Sequence, residues 1–224
     1  AEGKQGRIYI SFDENLAKSY AKAVNEYYVS HNIETEVPHA ECRGTFASNA
    51  QGRYYGFHEF KDYFTKRQLI VLTTFSDLVA EAQARAEADA LASGMADDGV
   101  PLADGGSGAK AYGQAVGVYL AFIVDKLADY HSSLCSWHIS REIIRNTFGR
   151  QAIPMIWDFA EANPFCSSSG SFENMHEWVI KSVAAMPNGI ASYATQFDAQ
   201  SDNGMRDIML STDPPYYDNI GYAD

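Results

Sequence analysis

A helix-rich α/β fold is what this sequence predicts, and three observations carry that prediction. Apolar residues recur at helical spacing over 11–31, 65–92, 107–130 and 171–186. Shorter apolar runs at 7–12, 190–195 and 207–212 have the length of strands. The last of these, with Ile208-Met209-Leu210 at its centre, leads straight into Asp213-Pro214-Pro215-Tyr216, a carboxylate, a stiffened turn and an aromatic ring in succession.

Taken in order, Arg7-Ile-Tyr-Ile-Ser-Phe12 reads as a short strand. Ser11 and Glu14 stand at capping-box spacing, in which hydroxyl and carboxylate satisfy free amides at a helix start. Leu16, Tyr20, Val24, Tyr27 and Tyr28 then continue at helical intervals to about His31. Residues 33–64 are rich in Tyr, Phe, Gly and His and read as loops with one or two short strands. Thr65 and Gln68 form a second capping box and open the longest helix. Its stripe is Leu69, Leu72, Phe75, Leu78 and Val79, and its second half is dense in Ala, Glu and Arg.

Gly94 supplies the stop, and 96–108 is a loop of Gly, Pro and Asp. The helix over 107–130 pairs a wide apolar face with Ala109, Ala111, Gly113, Ala115, Gly117 and Ala121, which admit a neighbouring backbone closely. Residues 131–170 read as irregular, and Pro187-Asn188-Gly189 ends the helix over 171–186. Two regions follow from this: a variable segment 1–64, and 65–224, in which helices lead into a partial domain ending at the Asp-Pro-Pro strand.

Composition bounds the function. At 46% hydrophobic residues the chain can bury a core, yet no run approaches the roughly 18 apolar residues of a membrane span. No signal-peptide pattern opens it, so a cytoplasmic location is expected. Cys42, Cys135 and Cys166 are odd in number and lack any CxxC pairing, and the six histidines show no HxH or HExxH pattern. Neither a disulfide framework nor a metal site is therefore expected. Ser167-Ser-Ser-Gly-Ser171 lacks the Gly-x-Ser-x-Gly elbow of serine hydrolases and reads as a mobile loop. The 29 acidic residues outnumber the 17 basic ones, so the surface as a whole is not a phosphate-binding one; any nucleic acid must dock through a local segment.

The chemistry of Asp213-Pro-Pro-Tyr216 suits an amine that is a poor nucleophile. An exocyclic adenine amine delocalises its lone pair into the ring, and two oxygen acceptors holding its N–H groups can draw that pair out of conjugation. Asp213 offers a side-chain oxygen and Pro214 a backbone carbonyl, while Pro214 and Pro215 lock the turn. Tyr216 offers a ring on which an extruded base can stack. A rigid solvent turn is the alternative reading of the bare tetrapeptide.

The motif resembles the DPPY element of adenine-N6 amino-methyltransferases. From about Phe64 onward the chain resembles the adenine-specific DNA methylases carrying the DUF1156 domain. The matching stretches are Thr65-Lys-Arg-Gln-Leu69, Leu72-Thr-Thr-Phe-Ser-Asp-Leu-Val79, Ala111-Tyr-Gly-Gln-Ala-Val116, Ile144-Arg-Asn-Thr-Phe-Gly-Arg-Gln-Ala152, Trp157-Asp-Phe-Ala-Glu-Ala-Asn-Pro-Phe165 and Ser211 to Asp224.

The resemblance implies a partial class I (Rossmann-like) S-adenosylmethionine-dependent methyltransferase domain. It places Asp213, Pro214, Pro215 and Tyr216 at the catalytic amine site, with Tyr217 beside them on the substrate. It also implies DNA as the partner of the full-length protein, in restriction or phage defence alongside defence-system proteins. The family's glycine-rich cofactor loop has no counterpart here, since Asp104-Gly-Gly-Ser-Gly108 follows no apolar strand. Family sequence beyond the final Asp is also missing. The expectation is thus a fragment of a larger enzyme, one that neither holds S-adenosylmethionine nor methylates alone.

Ser140 to Arg150 is the one locally basic segment. Arg141 and Arg145 are expected to share a helix face and to grip phosphates, with Asn146 and Arg150 nearby; the alternative is a surface helix paired to neighbouring acids. Trp157-Asp158-Phe159 and Asn163-Pro164-Phe165 are expected to pack under the catalytic turn. Two other functions stay open: a helical interaction module in which the tetrapeptide is incidental, and a methyltransferase of RNA or of a protein amide.

Overall fold

In a computed structural model of the chain, the residues described are 2–3, 6–7, 10–42, 52–149, 156–186, 196–198, 200–202 and 204–213. They are helix-rich: four α-helices carry the architecture, accompanied by two two-stranded antiparallel ladders. The expected strand 190–195 lies outside the described residues.

The first ladder pairs β1 (Glu2–Gly3) with β2 (Gly6–Arg7), so the strand expected over 7–12 reaches only Arg7, and 10–12 has no regular structure. Helix α1 (Glu14–Ser30) starts two residues later than the Ser11 cap predicts. Asp13 takes the cap because its carboxylate accepts from both Asn15 N and Leu16 N, each at 3.0 Å, with its charge at the positive end of the helix dipole. At the other end His31 stacks on Tyr27, and Asn32 turns the chain in the left-handed region at φ 53°. A 3₁₀ turn, Ile33–Thr35, follows. It folds Ile33 and Val37 back onto Tyr28 and Leu69, the first of three apolar clusters.

Helix α2 (Lys66–Ala92) begins with the capping box that the sequence predicts. Gln68 N donates to Thr65 Oγ1, and Thr65 N donates to Gln68 Oε1 at 2.8 Å. It ends ahead of Gly94, whose φ of 87° breaks the helical path. The loop to α3 (Ala109–Tyr130) is tied by Asp98, whose carboxylate accepts from Val100 N and Ser107 N. The two helices run antiparallel, and the small residues meet their expectation in part, since Ala115 is only half-buried and Ala121 is exposed. Ala109, Ala111, Gly113 and Gly117 are buried, and a Cβ built on Gly113 would lie 2.9 Å from the Gln83 carbonyl oxygen.

Residues 131–170, expected to be irregular, contain a hairpin of β3 (Ser136–His138) and β4 (Ile143–Arg145), with Trp137 opposite Ile144. Leu134 reaches the second apolar cluster, formed with Cys42 and Tyr63. The serine run is pinned rather than loose: Ser169 Oγ accepts from Ile144 N, and fully buried Ser171 caps α4 (Phe172–Ala185) by accepting from Asn174 N. Met175 of α4 closes the third cluster against Ile123 and Leu127 of α3. The strand expected over 207–212 is absent: those residues have no regular structure, and no strand among the described residues lies beside them to supply a ladder.

Candidate functional site

A cleft of about 640 Å³ opens between α1, the first turns of α2 and residues 161–165. Tyr20 and Tyr27 reach it from successive turns of α1, and Arg67 and Gln68 from the start of α2. The opposite wall is Glu161, Asn163 and Phe165. Glu161 is fixed from two sides. Arg67 Nε donates to its Oε1 at 3.1 Å while Nη2 donates to Oε2, and Thr65 Oγ1 donates to Oε1 at 3.3 Å. This two-pronged pairing orients the guanidinium beside the Tyr20 ring, 5.5 Å from its centroid. Asn163 Oδ1 accepts from Phe165 N at 3.0 Å, which fixes the amide's orientation.

Two buried polar groups also line the cleft. Gln68 is only 2% exposed; its Oε1 serves the cap, and its Nε2 has no partner. Such an unmet donor costs about 1–3 kcal/mol unless something fills it. His131 is 1% exposed and donates from Nε2 to the Gly170 carbonyl at 2.6 Å. Burial pushes its pKa below the ordinary imidazole value, so the ring is neutral around pH 7.

Those residues that the sequence assigns to catalysis or substrate binding and that are described do not line this cleft. Asp213 is exposed, in a stretch without regular structure. Pro214, Pro215, Tyr216, Tyr217 and Arg150 lie outside the described residues. Arg141 and Arg145 do not share a helix face: Arg141 sits in the turn between β3 and β4, and Arg145 ends β4 opposite Ser136. The β-branched pair Ile143-Ile144 favours the strand, and burial of Ile144 pays for it. Both arginines are exposed, without an ion pair among the described residues. Asn146 is committed to structure, donating from Nδ2 to Asp129 at 2.8 Å, while Phe148 N donates to the same carboxylate. Trp157 is 87% exposed, and Phe159 and Phe165 are exposed as well, so these aromatics do not form a floor beneath a turn among the described residues.

The glycines of 104–108 do not fit S-adenosylmethionine. A Cβ on Gly106 would lie 2.0 Å from the Val100 carbonyl oxygen, and one on Gly108 2.6 Å from the Asp98 nitrogen. These glycines let the loop close on itself, and no strand precedes them. Among the described residues no group of three or more His, Cys, Asp or Glu side chains is placed to hold a metal ion, and no helix is long and apolar enough to cross a membrane. Cys42 and Cys135 are buried free thiols, and Cys166 is a half-buried one.

Sequence reasoning missed the cleft. Arg67 and Glu161 are 94 positions apart, and no local pattern announces their meeting. The available signal was α1 itself, where Leu16, Tyr20 and Tyr27 lie at helical spacing yet all stay exposed. No protein-family model, curated protein or solved structure matches the chain.

Proposed function

We propose that this chain carries the amine-binding motif of a DNA adenine-N6 methyltransferase, in which Asp213, Pro214, Pro215 and Tyr216 hold a flipped adenine. The observation that carries the reading is the motif itself, joined to the exposure of Asp213, whose carboxylate has no hydrogen-bond partner among the described residues. Its exposed carboxylate would accept the N–H groups of an amine, and Tyr216 would stack on the base.

The stretches that resemble the DUF1156-type methylases also support it, because several of them meet. Thr65 and Arg67 bond to Glu161, and Gly113 is buried where α3 meets Gln83 and Glu87 of α2. In this reading the helices flank the sheet of a class I methyltransferase fold. The methyl donor is S-adenosylmethionine, and the loop of Gly106 and Gly108, closed on itself, is not its cradle. The part played by this chain is confined to the amine.

In the protein as its gene encodes it in full, Asp213→Ala abolishes methyl transfer to DNA and leaves the thermal unfolding curve in place. Methyl transfer that survives Asp213→Ala removes the proposal.

A second reading, a helical interaction module, has its own observation. A groove of about 320 Å³ between α3 and α4 is lined by Phe122, Trp178, Val183 and Met186, all exposed. An acidic chain that offers an apolar groove suits a partner protein better than a phosphate backbone. Under this reading Trp178→Ala releases a partner that Asp213→Ala retains.

A further inference from the structure

The cleft between α1 and the start of α2 has a chemistry that the carboxyl-terminal motif leaves unused. Its volume, about 640 Å³, falls within the range of small-molecule sites, roughly 300–1,000 Å³. Three aromatic rings line it and reach water: Phe165, 80% exposed, Tyr20, with Arg67 over one face, and Tyr27, with His31 stacked on one face. Aromatic faces left in water at a concave site are surfaces on which a planar ring can stack.

Charge narrows the ligand. Arg67 is the only cationic side chain that lines the cleft among the described residues, and Glu161 neutralises it through the two-pronged pair. His131, which also lines it, is neutral because burial lowers its pKa. A phosphate or carboxylate would find no uncompensated cation, so a neutral ligand is favoured.

Hydrogen-bond accounting narrows it again. Glu161 is taken by Arg67 and Thr65, Asn163 Oδ1 by Phe165 N–H, and Gln68 Oε1 by Thr65 N–H. Among the described residues, Arg67 Nη1, Asn163 Nδ2 and the unpartnered, buried Gln68 Nε2 remain as donors on this wall, while the Tyr20 and Tyr27 hydroxyls can donate or accept. A ligand that complements this wall presents acceptors.

We propose that the cleft binds a neutral, planar heteroaromatic ring whose edge carries carbonyl oxygens or ring nitrogens, the chemistry of a nucleobase, stacked against Tyr20 and Phe165 with its acceptors toward Arg67 and Asn163. The site is separate from Asp213 and stands whether or not that residue acts on an amine. A free nucleoside and an unpaired base in a single strand present the same ring.

The test is titration of the 224-residue chain with uridine and with adenosine, followed by ligand-observed NMR. Saturable binding of at least one nucleoside is expected, weakened about tenfold in Phe165→Ala, which removes a stacking face. Asn163→Asp, which keeps the acceptor for Phe165 N–H and replaces the free donor with an anion, weakens it similarly. Dihydrouridine, with the same carbonyls on a puckered ring, binds more weakly than uridine. Octathymidylate binding more tightly than nucleoside assigns the ring to a single strand, and equal or weaker binding assigns it to a free nucleoside. The proposal is overturned if neither nucleoside binds saturably, or if binding is unchanged in both variants while the circular dichroism of each matches the parent chain.

Discussion

The seam between α2 and α3 and the segment 204–213 contain similar residues put to opposite uses. In the seam, Leu72 and Phe75 of α2 pack against buried Ile123 and Leu127, which Met175 of α4 also covers, and Gly113 and Gly117 let one helix press against the other. In the segment, Ile208, Met209 and Leu210 face water, Met209 at 96% exposure. What tethers the nearby chain is local: the ion pair between Arg206 and Asp202. The difference teaches that packing and candidate chemistry are separated in this molecule. The residues that set the fold have little chemistry to offer, and the segment that delivers Asp213 contributes no buried apolar residue to the fold.

Substitutions can break that contrast, beginning with the largest expected effect. Leu127→Ala leaves a cavity beside Ile123 and Met175 and lowers stability by about 2–5 kcal/mol, read as a fall in the urea midpoint. An unchanged midpoint would mean that the seam is not the core. Gly113→Val drives a branched side chain toward the Gln83 carbonyl and the Glu87 backbone, neither of which can swing away, and costs about 1–3 kcal/mol in the same assay. Ser171→Ala removes the cap of α4 and costs about 1 kcal/mol, with loss of hydrogen-exchange protection confined to the first turn of that helix.

Charge sharpens the contrast at smaller magnitude. His39 Nε2 faces the Glu34 carbonyl at 2.7 Å and Nδ1 faces the Glu59 carboxylate at 2.9 Å, with Lys61 the neighbouring cation. Both ring nitrogens meet acceptors, so the imidazolium is favoured and the pKa is raised, first by the backbone carbonyl and then by Glu59. The stabilisation is fully present below the unfolded value of about 6.5 and fades as pH rises through the folded one. Glu34 and Glu59 have lowered pKa values, and their contributions fade only as pH falls below the ordinary carboxylate range. Comparing His39→Gln with the parent chain from pH 5.5 to 8.5 therefore gives a stability gap that is widest at the acidic end. A gap that widens with pH would reverse the assignment. Met209→Ser, at the exposed end of the comparison, shifts stability by no more than about 0.5 kcal/mol.

How far the sequence could be read depended on whether a signal was local. The Thr65–Gln68 capping box, the stop at Gly94 and the close approach at Gly113 and Gly117 each involve neighbours in sequence, and each appears as expected. The start of α1 went to Asp13 rather than Ser11, because two capping acceptors compete within one turn and the carboxylate also answers the helix dipole. Arg141 and Arg145 were misread because i, i+4 spacing is blind to the pairing of Ile144 with Trp137 across a hairpin. The strand expected before Asp213 needed a partner, and apolar character alone cannot provide one. The cleft rests on Arg67 meeting Glu161, a contact that only the folded chain brings about.

The most direct test of the account is nucleoside analysis of DNA incubated with labelled S-adenosylmethionine and the protein as its gene encodes it in full. The account predicts label in N6-methyladenine, and none once Asp213 is replaced by Ala. Label recovered only from RNA or protein, or from no acceptor at all, would contradict it.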